Sequence, residues 1–214
     1  MQSSFFDQQL DSPSVYRLPM HDAEVIYIPN WLAAEKATQY YHKLAESLVW
    51  RQDTIRLYGK EHLIPRQQCW YGDSGAVYQY SGLDLTPLPW TEELQALKQA
   101  CESASDAQFN SVLANWYQHG QHSMGMHSDD EPELGAQPTI ASLSLGAERN
   151  FIFKHKRDKT RHSVLLEHGS LLIMAGMTQD HWQHGLNKTV KPIGGRINLT
   201  FRQIVHDHST TNHR

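Results

Sequence analysis

His127 and Asp129 stand two residues apart. In an extended segment such residues share a face, so an imidazole and a carboxylate would converge within reach of one metal ion. They end the stretch NWYQHGQHSMGMHSDDE (Asn115–Glu131), which holds three histidines and three carboxylates spaced by small, flexible residues. The chain carries 14 histidines, so the pair is weak evidence without a third ligand. Downstream, QDHWQHGLNK offers both His181 and His184. Two histidines and one carboxylate leave three adjacent positions open on a six-coordinate iron. That suits an Fe(II) oxygenase, where a co-substrate and dioxygen must both bind. A closed structural zinc site would want four ligands, usually with cysteines. The two cysteines, Cys69 and Cys101, are remote from this cluster in sequence.

The segment RINLTFR sharpens the chemistry. On a strand, Arg196, Asn198, Thr200 and Arg202 fall on one face, and Ile197, Leu199 and Phe201 on the other. A polar strand face is ordinarily solvated, but solvated faces mix signs, and this one has no acid. Two arginines facing a cavity can bind a dicarboxylate through paired hydrogen bonds. Iron with a dicarboxylate co-substrate points to 2-oxoglutarate.

These residues need a scaffold. The chain has 214 residues, enough for one sizeable core. Apolar residues make up 39% and charged residues 20%, an ordinary globular composition. No run of apolar residues is long enough to span a membrane, and MQSSFFDQQLDSPS lacks the pattern of a signal peptide. Two thiols make no disulfide framework, so a cytoplasmic setting is expected. Residues 1–20 read as a polar arm and 206–214 as a polar tail around a single domain at 21–205. A helix is expected after Asn30 as N-cap, with Trp31, Ala34, Ala37, Tyr41, Leu44 and Leu48 on one stripe. A second is expected from Thr91, with Leu94, Leu97 and Cys101. Beyond about residue 108 the period changes to two. TIASLSLG sets Ala141, Leu143 and Leu145 against Ile140, Ser142 and Ser144, and NFIFKHK puts Phe151 and Phe153 together. SVLLEHGSLLIMAG reads as two strands about a Gly turn. The expectation is an α+β, mainly β chain: a sandwich, jelly roll or barrel core with helices outside it, preceded by hairpins over residues 51–90.

The ordered set His127-x-Asp129, His184, Arg196-x-Asn198-x-Thr200-x-Arg202 resembles the AlkB family of Fe(II)- and 2-oxoglutarate-dependent dealkylases. NWY supplies the family's Asn-x-Tyr at Asn115 and Tyr117. PRQQCWYGDSGAVYQYSG, HSDDE, ASLSLGAERNFIFKHK, HGSLLIMAG and HWQHGL are similar to DNA-repairing members, and the similarity runs from about Trp50 to Ile204. The resemblance implies a double-stranded β-helix (a jelly roll) over residues 109–204, with N-terminal supporting helices and substrate-binding hairpins. It implies His127, Asp129 and His184 as iron ligands. Asn115, Tyr117, Arg196, Asn198, Thr200 and Arg202 would hold 2-oxoglutarate. Which arginine takes which carboxylate stays open, with Arg196 favoured for the distal end. The implied reaction converts 2-oxoglutarate to succinate and CO2 and removes N-alkyl lesions, such as those of 1-methyladenine and 3-methylcytosine, as formaldehyde.

A base in a duplex must be flipped out to react. By the same resemblance, Tyr58, Gly59 and Lys60 belong to a hairpin that fills the gap in the stack. Arg66 and the turn Tyr71-Gly72-Asp73 would contact the substrate, with Tyr71 stacked on the flipped base. Asp130 and Glu131 would read its edge. The basic run KHKRDKTRH (Lys154–His162), by itself a solvated hairpin, then reads as a phosphate-contacting one through Lys154, Lys156, Arg157 and Arg161. The expected partner of a monomeric chain is alkylated DNA. The same chemistry on RNA or a protein side chain is the alternative. A non-enzymatic nucleic-acid-binding module would leave the arginine strand unexplained. His119 and His122 have no partner at ligand spacing and read as surface residues.

Overall fold

The computed structural model describes residues 14–57, 60–76, 78–80 and 83–205. Strands β1 (Tyr16–Arg17) and β2 (Glu24–Ile28) lead into helix α1 (Ala34–Ser47). The hairpin of β3 (Thr54–Leu57) and β4 (Lys60–Leu63), strand β5 (Gln67–Gly72) and the hairpin of β6 (Tyr78–Tyr80) and β7 (Leu83–Leu85) precede α2 (Glu92–Ser105). Then come β8 (Ser111–Tyr117), β9 (Met124–His127), β10 (Ile140–Gly146), β11 (Arg149–His155), β12 (Arg161–Leu166) and β13 (Leu171–Ala175). The short α3 (Thr178–His181), β14 (Trp182–Leu186) and β15 (Arg196–Arg202) complete the order. No helix among the described residues is long and apolar enough to cross a membrane.

Seven strands form the major sheet, β1-β2-β13-β10-β15-β8-β5, and four the minor sheet, β12-β11-β14-β9. Their ladders are antiparallel, and the two sheets face each other as a jelly roll. Alternation decides what each face does. Leu143 and Leu145 of β10 and Ile197, Leu199 and Phe201 of β15 point outward. There they meet Ala37 and Leu44 of α1 and Leu94, Leu97 and Cys101 of α2. The helices therefore cover the outer face of the major sheet and close one core. Between the sheets, at one end, Val25, Tyr27, Ile140, Phe153, Leu166, Leu172 and Trp182 form a second core. Its apolar packing leaves the rest of the inner face to polar side chains.

The elements differ from expectation in three places. Asn30 does not cap α1. It sits in a turn at φ 50°, a conformation asparagine tolerates, and the helix begins four residues later with no side-chain cap. By contrast, Thr91 caps α2 as expected, accepting a hydrogen bond from the Leu94 amide at 3.3 Å. Second, the sheet starts earlier than residue 109. β2 and β5 are strands of the major sheet, so the jelly roll borrows its edges from the N-terminal half. Third, residues 14–20 are no loose arm, since Tyr16 and Arg17 pair with Tyr27 and Ile26, and Met20 is buried between the sheets. Residues 1–13 and the tail at 206–214 lie outside the described residues.

Candidate metal and co-substrate site

β15 lies inside the major sheet, between β10 and β8. All seven of its residues are buried, which excludes the solvated-face reading of RINLTFR. The register sets Arg196 beside Tyr117 and Asn198 beside Asn115 on β8, with Asn198 opposite Ser144 and Thr200 opposite Ser142 on β10. Small serines opposite long polar side chains leave a cavity on this inner face. The minor sheet closes it from the other side. There His127 at the end of β9 pairs with His184 on β14. Asp129 follows just past β9, its amide donating to Gln179 Oε1 at 3.0 Å.

Three donors converge. His127 Nε2 is 3.7 Å from Asp129 Oδ1, and His184 Nε2 is 3.7 Å from Asp129 Oδ2. Donors of one metal ion stand at such separations, beyond hydrogen-bond range. The second nitrogen of His127, Nδ1, lies 2.9 Å from the Gly125 carbonyl, which fixes the ring and turns Nε2 inward. Two nitrogens and one carboxylate oxygen are the donor set of an iron oxygenase site, so the residues fit the group. His181, the other candidate, stacks on His155 elsewhere and takes no part.

Electrostatics keep the donors in ligand form. Burial would raise the Asp129 carboxyl, but Arg202, His184 and His127 outweigh it and hold the group below the usual carboxylate range. Arg202 Nη2 contacts Asp129 Oδ1 at 3.0 Å. Burial pushes His184 down to about 3, against which Asp129 works only in part. Its imidazole is thus neutral when folded and takes a proton more readily when unfolded. Metal-free chain therefore loses stability as pH falls from the ordinary imidazole value toward 3. Phe151 stacks on the His184 ring at 5.3 Å and shields it.

At the other end of the cavity sits Arg196. It is 2% exposed, pushed down to about 10 by burial, and remains a cation at neutral pH. Its Nη2 donates to Ser144 Oγ at 2.9 Å, its plane covers the Tyr117 ring at 5.4 Å, and its Nε is without a hydrogen-bond partner. No ion pair to an acid is formed by Arg196 among the described residues. A buried charge without a counter-charge costs several kcal/mol, so this geometry asks for an anion. Asn198 donates to Ser142 Oγ at 2.8 Å and accepts from Thr200 at 3.0 Å, which locks the middle of the strand. The cavity joins Arg196 to Asp129, with Asn115, Tyr117 and Met124 in its wall.

The outer candidates are placed less uniformly. Arg66 donates from Nε to Asn115 Oδ1 at 2.8 Å and from Nη2 to Gln68 Oε1 at 3.3 Å. It orients the Asn115 amide, a more interior task than the expected DNA contact. Tyr71 corrects the resemblance. It lies on the helix-facing side of β5 in the outer core, and its hydroxyl accepts from the Val49 amide at 3.0 Å. It cannot stack on a base presented to the opposite face. Its neighbour Trp70 is the aromatic turned to that face, packing near Leu113, Ala76 and Leu134. Gly72 is needed for packing rather than contact, because a Cβ there would come 2.7 Å from the Asn110 carbonyl oxygen. Gly72→Ala is expected to lower stability by about 2 kcal/mol through this clash, measured by urea unfolding. A loss below a few tenths would refute the packing role. Asp73 accepts from the Trp90 indole at 2.7 Å. Asp130 is exposed and paired with Lys156 at 3.0 Å, and Glu131 opens the 3-10 turn Pro132–Leu134.

Lys156 also donates to the Gln179 carbonyl at 2.8 Å, so the tip of the β11–β12 hairpin is tied beside the mouth of the cavity. Arg157 and Arg161 are exposed on that hairpin and Lys154 is half-buried. Lys60 begins β4, while Tyr58 and Gly59 lie outside the described residues. Sequence reading missed Gln179, Phe151 and Arg149. Arg149 is buried, with its guanidinium carbon 6.0 Å from the Tyr117 ring centroid. Only Phe151 carried a signal, its alternation with Phe153.

A jelly roll whose inner face joins a two-His, one-carboxylate cluster to an unpaired arginine is the architecture of an oxygenase that uses a dicarboxylate co-substrate. In agreement, the family model described as the 2OG-Fe(II) oxygenase superfamily matches residues 24–202. Human DNA oxidative demethylase ALKBH2 is 40% identical over 180 residues, 80% of this chain and 69% of its own length. Bovine ALKBH2 is 39% identical over 80% of this chain and 65% of its length. Human alpha-ketoglutarate-dependent dioxygenase alkB homolog 3 is 36% identical over 92% of this chain and 73% of its length. This chain thus spans about two thirds of these relatives, slightly less for bovine and mouse ALKBH2. The solved structure of OsALKBH1 shares the fold, with a TM-score of 0.61 at 20% identity over 84% of this chain and 97% of that one. The chain belongs to the AlkB family of Fe(II)- and 2-oxoglutarate-dependent dioxygenases.

Proposed function

We propose that this chain is a DNA repair dioxygenase, one unit over the described residues, that oxidatively removes N-alkyl groups from bases such as 1-methyladenine and 3-methylcytosine. The observation that carries the reading is the cavity joining the Asp129 cluster to the buried, unpaired Arg196. Likeness to ALKBH2 proteins, named DNA oxidative demethylases, supports DNA as the substrate.

His127, Asp129 and His184 would hold Fe(II), which when bound supplies the oxidising chemistry for dioxygen and 2-oxoglutarate. Arg196 would pair with the distal carboxylate of 2-oxoglutarate, because it lies at the end of the cavity away from Asp129. Tyr117 and Ser144 fix its guanidinium. Arg202, held against Asp129, would serve the carboxylate nearer the metal. Arg66 orients Asn115 toward the same ligand. Phe151 and Leu186 line the cavity and keep water from His184. The overall change is balanced: 2-oxoglutarate and O2 become succinate and CO2, one oxygen atom enters the N-methyl group, and the resulting hemiaminal releases formaldehyde and the free base. The exposed cations of the β11–β12 hairpin would meet phosphates, which places a duplex without reading its sequence.

The test is incubation of anaerobically purified protein with Fe(II), 2-oxoglutarate, O2 and 3-methylcytosine oligomers, as DNA and as matched RNA. About one formaldehyde per succinate is expected on DNA. Retained methyl groups without succinate would sink the reading. A clear preference for RNA would move the substrate and keep the chemistry.

A further inference from the structure

We propose a second divalent-cation site, suited to Zn(II), where His21, Asp22 and His155 meet at the end of the sandwich. It would clamp the β11–β12 hairpin to the turn before β2. One donor atom from each residue lies within 4.8 Å of the other two. Adjacent His21 and Asp22 lie more than a hundred residues from His155, and only the fold brings the two segments together.

His155 is fully buried, and its Nε2 has no hydrogen-bond partner. That nitrogen faces Asp22 Oδ2 at 3.7 Å. The gap is too long for a hydrogen bond. It is close to the spacing of about 3.4 Å between two donors that each bind one tetrahedral zinc at about 2.1 Å. The other nitrogen of His155, Nδ1, accepts a hydrogen bond from the Asp158 amide at 3.2 Å and lies 3.0 Å from Asp158 Oδ1. A metal ion at Nε2 would move the imidazole proton to Nδ1, where Asp158 Oδ1 is near enough to accept it. Asp158 Oδ2 in turn lies 3.0 Å from His21 Nε2. The His21 and His155 ring centroids are 4.6 Å apart, and the Trp182 edge packs against both.

A plain hydrogen-bonded cluster would account for Asp158 but not for the buried Nε2 aimed at a carboxylate beyond bonding distance. Two carboxylates, Asp22 and Asp158, stand beside the two imidazoles and could partner a dication. His21 and Asp22 are partly exposed, so their side chains can rotate to close the coordination, with water in the fourth position. Two imidazoles and a carboxylate suit Zn(II), which such ligands bind more tightly than Fe(II). Along the inner face, Phe153 separates His155 from the strand level of His184 by one two-residue step, about 7 Å. The two sites are therefore distinct.

The test uses the full chain stripped of metal, titrated with Zn(II) and measured for bound metal after dialysis. His21→Ala with Asp22→Asn is the variant. Both side chains are partly exposed, and the Trp182 indole bonds to the His21 backbone carbonyl, which the change keeps. Asparagine also tolerates the φ of 52° at position 22. The variant is expected to bind one equivalent fewer than the wild type. Zn(II) is also expected to slow amide exchange over residues 155–160 about tenfold in the wild type and not in the variant. Equal zinc content in the two proteins, or exchange that zinc leaves unchanged in the wild type, would overturn the proposal. Dealkylation by the variant should persist, so failure here is separable from failure of the proposed activity.

Discussion

Asp129→Ala is expected to abolish both iron binding and succinate formation, and to weaken the metal-free fold as well. The first effect follows from losing the only carboxylate of the cluster. Removing a group that merely orients a ligand costs about 10–100-fold, so removing a ligand should exceed about 100-fold in turnover. The second effect comes from Arg202. It is buried and its ion pair is with Asp129 at 3.0 Å. Deleting one partner of a buried pair strands the other charge and costs about 3–5 kcal/mol. Asp129→Asn separates the two effects. It keeps the shape and an acceptor for Arg202, so iron is lost while less stability goes with it. Metal content, succinate release and urea unfolding of the chelated proteins check this. Succinate formation by Asp129→Ala would refute the metal assignment. Unchanged unfolding would refute the Arg202 argument.

Much of this site is legible in the amino-acid sequence alone, for a definite physical reason. A strand's period of two separates Arg196, Asn198, Thr200 and Arg202 from Ile197, Leu199 and Phe201 without reference to anything else, and the structure keeps that division. The spacing of His127 and Asp129 works the same way. What the sequence could not state is which face of a strand turns toward which layer. Tyr71 and Trp70 are adjacent aromatics on β5, and alternation guarantees only that they point apart. Pairing of β5 with β8 sets Tyr71 opposite Val112, on the helix side, and that pairing spans some forty residues. The same limit hid β2, whose short run EVIYI looks like a strand only once β13 is beside it. Gln179 was invisible because its role depends on the Asp129 amide fifty residues away. Spacing alone left His181 and His184 open; the family resemblance chose His184, and the register of β14 against β9 sets His184 beside His127.

Arg196→Met should have the opposite sign on stability from Asp129→Ala while also damaging the enzyme. In the chain without metal or co-substrate, Arg196 is a buried cation held by Ser144 and the Tyr117 ring, with no acid paired to it among the described residues. Replacing an uncompensated buried charge with an apolar side chain of similar length is neutral or stabilising, by up to a few kcal/mol. Methionine should therefore leave the unfolding midpoint unchanged or raise it. The same change removes the partner proposed for the distal carboxylate of 2-oxoglutarate. Losing one member of a buried charge pair costs about 2–5 kcal/mol in binding, roughly 30- to 4000-fold. The KM for 2-oxoglutarate should rise accordingly, with iron affinity unaltered because Arg196 touches none of the three residues proposed to hold iron. Arg196→Lys should recover only part of the loss, since an ammonium keeps the charge but not the planar fork. A variant that unfolds more easily, or whose KM for 2-oxoglutarate is unchanged, would mean that Arg196 is structural. A stabilised protein that has lost its co-substrate is the signature of a charge kept buried for a ligand.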